Sequence, residues 1–179
     1  MPTKRARSSR QASANNPRAR KPSWRAIIAS SLDWHEAHAT LDDAANAEDF
    51  PLELRGKRPD NFPHSAWELL EHIRLTTADL AAFMTSKRYV APEWPRDYWP
   101  ASSAPADAAA WTASLTAIHR DIRKLKSIAE RPGLELTSRI PTGDGQTYLR
   151  TLLLALDHTS YHVGQIVAVR RVLGAWKVD

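Results

Sequence analysis

The sequence has no cysteine and no long apolar run. Without cysteine the chain can form no disulfide, has no thiolate nucleophile and offers no sulfur ligand for zinc or an iron–sulfur cluster. A metal ion would have to be held by His, Asp or Glu. The longest uninterrupted apolar run, residues 152–156, is far shorter than the roughly 20 residues that cross a bilayer. No signal peptide is visible either, so we expect a cytoplasmic protein with no membrane partner.

The length and composition indicate one ordinary folded domain. The chain has 179 residues, of which 42% are hydrophobic and 25% are charged. Its formal net charge is +5, but the charge is uneven. Residues 1–23 contain seven basic side chains and no acidic one, which leaves 18 basic and 20 acidic residues in the remainder. The folded part is therefore expected to be mildly acidic.

Residues 1–23 are rich in Arg, Ser, Ala, Asn and Pro and lack hydrophobic periodicity. This composition predicts a disordered basic tail, followed by one domain over residues 24–179. Three interpretations of the tail stay open: a solvated segment, a weak nucleic-acid-binding arm, or an organelle transit peptide.

The prolines mark out the secondary structure, because proline is poorly tolerated inside a helix. All twelve avoid four segments rich in helix-forming residues: 24–48, 64–87, 106–130 and 147–173. No stretch shows the sustained period-two alternation of a strand. The sequence therefore predicts an all-α four-helix bundle, whose connections 49–63 and 88–105 are long enough to cross over it.

Two local signals support the helix boundaries. Ser65 and Glu68 have the spacing of a capping box, so we expect a helix to begin there. Gly174 follows the last apolar residues of the final segment and is expected to end it.

His158 and His162 are the strongest chemical signal, because residues i and i+4 lie on the same side of a helix. They fall in the most hydrophobic segment of the chain, where an unpaired imidazole is costly to bury. His72 lies on an inward-facing apolar stripe of the second segment and is the best candidate for a third ligand. Three histidines with one open position would suit zinc or another first-row divalent ion. The alternative is that all three are hydrogen-bonded core histidines.

The other histidines give weaker signals. His35 and His38 form an i, i+3 pair that suits a solvated helix face, and at most His38 is expected to line the pocket. His64 precedes its helix and His119 is followed by charged residues, so both are expected at the surface.

Three further side chains lie within reach of the histidines. Glu68 is one turn before His72 and could orient an imidazole or act as a base, although its capping role is the simpler interpretation. Tyr161 and Gln165 flank His162 and could hydrogen-bond a substrate or a second imidazole nitrogen; packing between helices is the alternative. Glu68, His38 and Tyr161 are thus the candidate catalytic residues.

Two features near the site have both a structural and a functional interpretation. Gly164 would allow a ligand or a neighbouring helix to approach closely, and tight helix packing explains it equally well. The connection 88–105 is rich in aromatic residues and proline, which suits a lid or substrate wall but also a crossover fixed by its aromatic rings.

Residues 67–74, which contain His72, and residues 157–165, which contain His158 and His162, resemble the DinB/YfiT-like metal-binding four-helix bundles. The resemblance extends over about residues 24–176, and the His-x3-His-x-Gly-Gln pattern is its most specific part. It implies an up-down-down-up bundle, often homodimeric, with a divalent metal on the three matching histidines. The basic tail is not part of this pattern.

The resemblance also implies a range of activities. Relatives include low-molecular-weight thiol S-transferases, a thiol-dependent isomerase and proteins described as metal-dependent hydrolases. A three-histidine metal, with zinc, nickel and manganese as candidates, could activate a water or bind the sulfur of a borrowed thiol. We therefore expect a metal-dependent transferase or hydrolase that acts on a small molecule. The alternatives are a non-catalytic metal-binding or stress-response module and a nucleic-acid-binding protein that uses its tail.

Overall fold

The structure, a computed structural model, describes residues 22–34 and 38–176. The basic tail predicted over residues 1–23 lies outside these ranges, apart from its last two residues. The described residues form α-helices and no strand longer than an isolated bridge. The helices are α1 (Trp24–Ser31), α2 (Leu41–Ala45), α3 (Leu52–Arg55), α4 (Ala66–Thr85), α5 (Ala108–Ala129) and α6 (Tyr148–Val172). The all-α prediction is confirmed.

The three long helices begin and end within two residues of the predicted segments. The capping box predicted for α4 is present, because the Ser65 hydroxyl accepts from the Glu68 amide and the Glu68 carboxylate accepts from the Ser65 amide. Gly174 follows the end of α6 at φ +70°, as predicted. The amide of Ala175 donates to the carbonyl of Arg170 at 2.8 Å, which completes a helix-ending turn of the Schellman type.

The prediction of one continuous helix over 24–48 is wrong. The segment contains two short helices, α1 and α2, because Thr40 starts a new helix with a capping box of its own. The Thr40 hydroxyl accepts from the Asp43 amide at 3.0 Å, and the Asp43 carboxylate accepts from the Thr40 amide at 2.8 Å. The connection 49–63 also contains the unpredicted one-turn helix α3.

Helices α4 and α5 run in the same direction. The Trp67 ring lies 6.3 Å from the Trp111 ring, and one helical turn later the Ser114 hydroxyl donates to Glu71 at 2.6 Å. The sequence positions of both helices therefore increase together along the contact, so the connection 88–105 is a crossover.

Helix α4 runs opposite to α6, and α1 runs opposite to α5. His72 meets His158, whereas Phe83 at the other end of α4 accepts a hydrogen bond from Thr142, before α6 begins. Arg25 at the start of α1 donates to the carbonyl of Ala129 at the end of α5. The core lies between these helices and is made mainly of Leu, Ile, Val, Ala and Trp side chains. Among the described helices, none combines the length and apolarity that crossing a membrane requires.

Candidate metal centre

His72, His158 and His162 converge between α4 and α6, and we name them the histidine triad. One ring nitrogen from each lies within 4.8 Å of the others, and the Nε2 atoms of His72 and His158 are 3.1 Å apart. His72 is 3% exposed and His162 is 7% exposed, while His158 is half-buried. The spacing on α6 puts two imidazoles on one side of that helix, and α4 supplies the third.

In two members of the triad, the Nδ1 atom donates a hydrogen bond to an acceptor outside the triad. His72 Nδ1 lies 2.7 Å from the carbonyl oxygen of Tyr98, to which it donates. His162 Nδ1 lies 2.6 Å from Oε1 of Gln165, whose amide nitrogen donates to the Tyr161 hydroxyl at 3.1 Å. Since Gln165 uses its nitrogen as a donor to Tyr161, its oxygen accepts from His162. Both histidines therefore carry their proton on Nδ1 and leave Nε2 as a bare acceptor.

His158 follows the same pattern with a weaker partner. Its Nδ1 lies 3.4 Å from the Thr76 hydroxyl oxygen, and that hydroxyl donates to the carbonyl of His72 at 2.7 Å. The oxygen of Thr76 is therefore available to accept from His158.

In the tautomer with Nδ1 protonated on both rings, the Nε2 lone pairs of His72 and His158 face each other at 3.1 Å. A proton on Nε2 of His72 would leave its Nδ1 as an acceptor against the carbonyl of Tyr98, whereas His158 can carry its proton on Nε2 if the Thr76 hydroxyl turns to donate to its Nδ1. A cation satisfies all of these atoms at once. Zinc–nitrogen bonds of about 2.0–2.1 Å put two ligands of a tetrahedral site about 3.3–3.4 Å apart, close to the spacing of this pair. The residues present therefore fit a divalent metal ion.

Burial keeps the triad neutral. It lowers the pKa of His158 to about 4, with further lowering from the charges of His162 and His72. Burial also lowers the pKa of His162 to about 4, although the hydrogen bond to Gln165 opposes it, and it lowers the pKa of His72 below the ordinary value. Neutral imidazole is the form that binds metal.

Trp99 lies between two imidazoles. Its ring is 4.0 Å from His72 at an interplanar angle of 3°, and 3.9 Å from His64 at 15°. Two imidazoles stacked this closely on one indole ring would collide on the same face, so they lie on opposite faces. The prediction that His64 is a simple surface residue is therefore wrong: it is half-buried against Trp99.

Asp79 fixes the connection 88–105 to α4. Its carboxylate accepts from the hydroxyls of Tyr89 at 2.7 Å and Tyr98 at 2.8 Å. The connection is thus a crossover held by its aromatic residues, as one of the two predicted interpretations had it. It also forms a wall of the site, because Tyr98 and Trp99 both contact His72.

Glu68 is committed to partners outside the triad. Arg58 donates to it through Nε at 2.8 Å and also through its Nη2 atom, and Ser65 donates through its amide. Burial raises the pKa of Glu68, but these hydrogen bonds outweigh burial and leave the pKa below its ordinary value. Glu68 is therefore a capping residue and an ion-pair partner. Its carboxylate oxygens accept hydrogen bonds from Arg58 and Ser65, which does not favour a role as a base.

His38 borders a cavity that the triad does not line. It lines a cavity of about 900 Å³ between the residues after α1 and helices α5 and α6, and none of the three ligands lines that cavity. This cavity gives no support to the expectation that His38 shares the metal pocket, which stays a prediction. His119 lines the same cavity and pairs with Asp42 at 2.9 Å, and the predicted partner of His38, His35, lies outside the described residues.

Gly164 and Tyr161 lie on the exposed side of α6. A Cβ atom built on Gly164 would meet no other atom within 4 Å, so the tight helix packing considered for it is absent from the described structure. Tyr161 is 64% exposed beside His162, with ring centroids 4.9 Å apart. Its hydroxyl therefore reaches solvent next to the triad.

The sequence interpretation missed Thr76 and Asp79, and it included Tyr98 and Trp99 only as part of a possible lid or wall, without their contacts to His72. Thr76 and Asp79 lie on the His72 side of α4, at i+4 and i+7, and that spacing is a signal that could have identified them. Tyr98 acts through a backbone carbonyl, for which a sequence has no signature.

Residues 32–166, about three quarters of the chain, match the family model described as the DinB superfamily. This range contains all three members of the triad and their hydrogen-bond partners. No curated protein and no solved structure matches the chain.

Proposed function

Because the chain belongs to the DinB superfamily, we propose that it binds a divalent metal ion on the histidine triad and uses it in a thiol-transfer or hydrolytic reaction on a small molecule. One observation carries the metal site: three neutral imidazoles from two helices bring one ring nitrogen each within 4.8 Å of one another, and the Nδ1 atoms of His72 and His162 lie against acceptors outside the triad.

The ligand count supports a reactive centre over a purely structural one. Within residues 22–34 and 38–176, no fourth His, Asp or Glu side chain joins the triad as a possible ligand. Glu68 and His38, the side chains that would close the site, have other partners. Three protein ligands with a free position are typical of catalytic metal sites, whereas structural sites are closed by protein.

The chain's own residues would orient the ligands and the substrate. Gln165 and Tyr98 hold two imidazoles in the ligating tautomer. The Tyr161 hydroxyl accepts a hydrogen bond from Gln165, so its own O–H can donate to a group bound beside His162. A divalent ion bound here supplies Lewis acidity toward an oxygen or sulfur atom.

Other expectations remain predictions. The helix directions support the up-down-down-up order of the superfamily, with α1 and α2 together in place of a first long helix. A homodimer remains a prediction. Nucleic-acid binding by residues 1–23 rests on charge alone.

Metal content tests the site directly. We expect elemental analysis of the purified, untagged protein to give about one divalent ion per chain. His72→Ala and His158→Ala should lose the ion while retaining the helical circular dichroism spectrum. His119→Ala is the matched control, because it removes an imidazole outside the triad and should retain the ion.

A wild-type protein that stays metal-free after reconstitution with zinc, nickel and manganese would refute the metal site. If metal binds, assays with a low-molecular-weight thiol and an electrophile, and with ester and amide substrates, separate the two reaction classes. A loaded protein inactive in every assay would favour the non-catalytic module.

A further inference from the structure

Asp79 lies seven residues after His72 on α4 and makes its hydrogen bonds to the connection 88–105. Its two oxygens accept from the hydroxyls of Tyr89 and Tyr98. Among the described residues no Lys or Arg pairs with this carboxylate. The two phenols are therefore its partners in place of a cation.

Both phenols stay protonated and remain donors. Burial raises the pKa of Tyr98 to about 12, with a further contribution from the hydrogen bond to Asp79. The same two causes raise the pKa of Tyr89 above its ordinary value. A charge-assisted hydrogen bond from a protonated phenol to a carboxylate is about twice as strong as a neutral one.

Little else fastens this part of the connection to the bundle. Most residues between 90 and 97 are exposed, including Val90 at 84% and Trp94 at 68%. The connection becomes half-buried again at Tyr98 and Trp99, where it meets α4. Asp79 therefore fixes the connection close to the point where it contacts the triad.

Tyr98 and Trp99 together determine the position of the His72 ring. The carbonyl of Tyr98 accepts from Nδ1 and sets the direction in which Nε2 points, while the indole of Trp99 lies flat on the imidazole and sets its plane. The Tyr98 amide donates to the carbonyl of Pro95 at 3.1 Å, so the anchored side chain and the contacting carbonyl belong to one short helical turn.

We propose that Asp79 is a positioning residue for His72 that acts through Tyr98: its hydrogen bond to the Tyr98 hydroxyl holds the Tyr98 carbonyl and the Trp99 ring against the imidazole. The part of this proposal that concerns metal affinity rests on the proposed function. The proposal also concerns the metal-free protein, in which the same contacts orient His72.

Tyr98→Phe and Tyr89→Phe form a matched pair, because each removes one hydroxyl from the same carboxylate. We expect both to lower the stability of the metal-free protein by similar amounts. Only Tyr98→Phe should weaken zinc binding, by about tenfold, as is usual for changes behind a metal ligand. It should also change the visible absorption spectrum of the cobalt-loaded protein, whereas Tyr89→Phe should bind zinc within about twofold of the wild type.

Asp79→Asn is the second variant and should weaken zinc binding at least as much as Tyr98→Phe. Nitrogen chemical shifts of the His72 ring provide a readout without metal: Tyr98→Phe should move them and Tyr89→Phe should not. Equal zinc affinities and unchanged ring shifts in the two tyrosine variants would overturn the positioning role. A wild type that binds no metal while its ring shifts respond as expected would instead refute the proposed function and leave the positioning role supported.

Discussion

Helix α6 carries two buried polar clusters, and they differ in whether protein groups satisfy them. Near its end, Arg170 is fully buried, and each of its three nitrogens donates to an oxygen of the protein. The acceptors include the carboxylate of Asp49 at 2.6 Å and the carbonyls of Ala44 and Ala175, both at 2.9 Å. Two turns earlier, the histidine triad brings ring nitrogens of three neutral imidazoles together, with Nε2 of His72 and Nε2 of His158 3.1 Å apart.

The difference separates a cluster that is complete within the protein from one that could hold a metal ion. The cluster at Arg170 balances its donors and acceptors and ties α6 to α2 and the residues around Asp49, so it needs nothing from outside the chain. The neutral imidazoles of the triad offer nitrogen lone pairs to which a cation would bind. Burial and polarity alone do not distinguish the two clusters, but their hydrogen-bond balance does.

The largest effect is expected at the balanced cluster. Arg170→Met should lower the free energy of unfolding by about 3–5 kcal/mol, because it leaves the buried carbonyls and Asp49 without their donor. Urea unfolding of the metal-free protein measures this loss. Arg171→Met is the control and should change stability by less than about 0.5 kcal/mol, since Arg171 is exposed. Similar losses in both variants would show that the cluster contributes no special stability.

The triad should make the metal-free protein sensitive to mild acid. The pKa values of His158 and His162 fall from 6.5 to about 4 on folding, so the unfolded chain binds these protons first as the pH drops. Stability should therefore be complete above about pH 6.5 and decrease toward pH 4. Urea unfolding in the presence of a chelator between pH 7 and 5 measures the slope, which the variant His158→Asn should reduce. An unchanged slope in that variant would contradict the low pKa of His158.

A smaller effect, on zinc affinity, is expected at Gln165, whose side chain orients His162. Gln165→Leu removes the acceptor of His162 Nδ1 and should weaken zinc binding by about tenfold, as measured by competition with a chelating dye. Gln165→Glu should restore the affinity, because a carboxylate oxygen accepts the same hydrogen bond. Zinc affinity in Gln165→Leu equal to that of the wild type would show that His162 needs no orientation.

The smallest effect is expected at Gly164. Alanine is about 1 kcal/mol more favourable than glycine inside a helix, and a methyl group at this position meets no neighbour. Gly164→Ala should therefore raise the free energy of unfolding by about 0.5–1 kcal/mol and leave zinc affinity unchanged. A loss of stability or of zinc binding would show that another group approaches α6 at this position.

The sequence predicted those parts of the fold and site that depend on local patterns. Proline positions and capping residues such as Ser65 gave the three long helices, and helical spacing paired His158 with His162. The break after α1 was missed because its signal, the capping box at Thr40, lies within a segment of otherwise good helix formers.

The parts of the fold and site that the sequence did not predict depend on contacts between residues far apart in the chain. Tyr98 contributes a carbonyl, a group that every residue has, so only the fold shows that this one meets His72. Trp99 is one of seven tryptophans, and only the crossover places it on the imidazole. His38 was predicted at most to line the pocket, from its i, i+3 spacing with His35, and spacing alone does not show which cavity a helix face borders.

The three histidines of the triad are unevenly spaced along the sequence, so the order in which the helices fold determines when the triad is complete. His158 and His162 are one turn apart, so α6 alone can present two of the three imidazoles, but 86 residues separate His72 from His158. Bringing His72 to them closes a loop that contains all of α5, and the chain entropy lost in that closure does not depend on the metal. A metal ion that arrives early would be held loosely by α6 and gain its third ligand only when α4 docks. If the triad binds the proposed ion, metal affinity would therefore report how complete the bundle is, and the ion would stabilise the docked state over every earlier one.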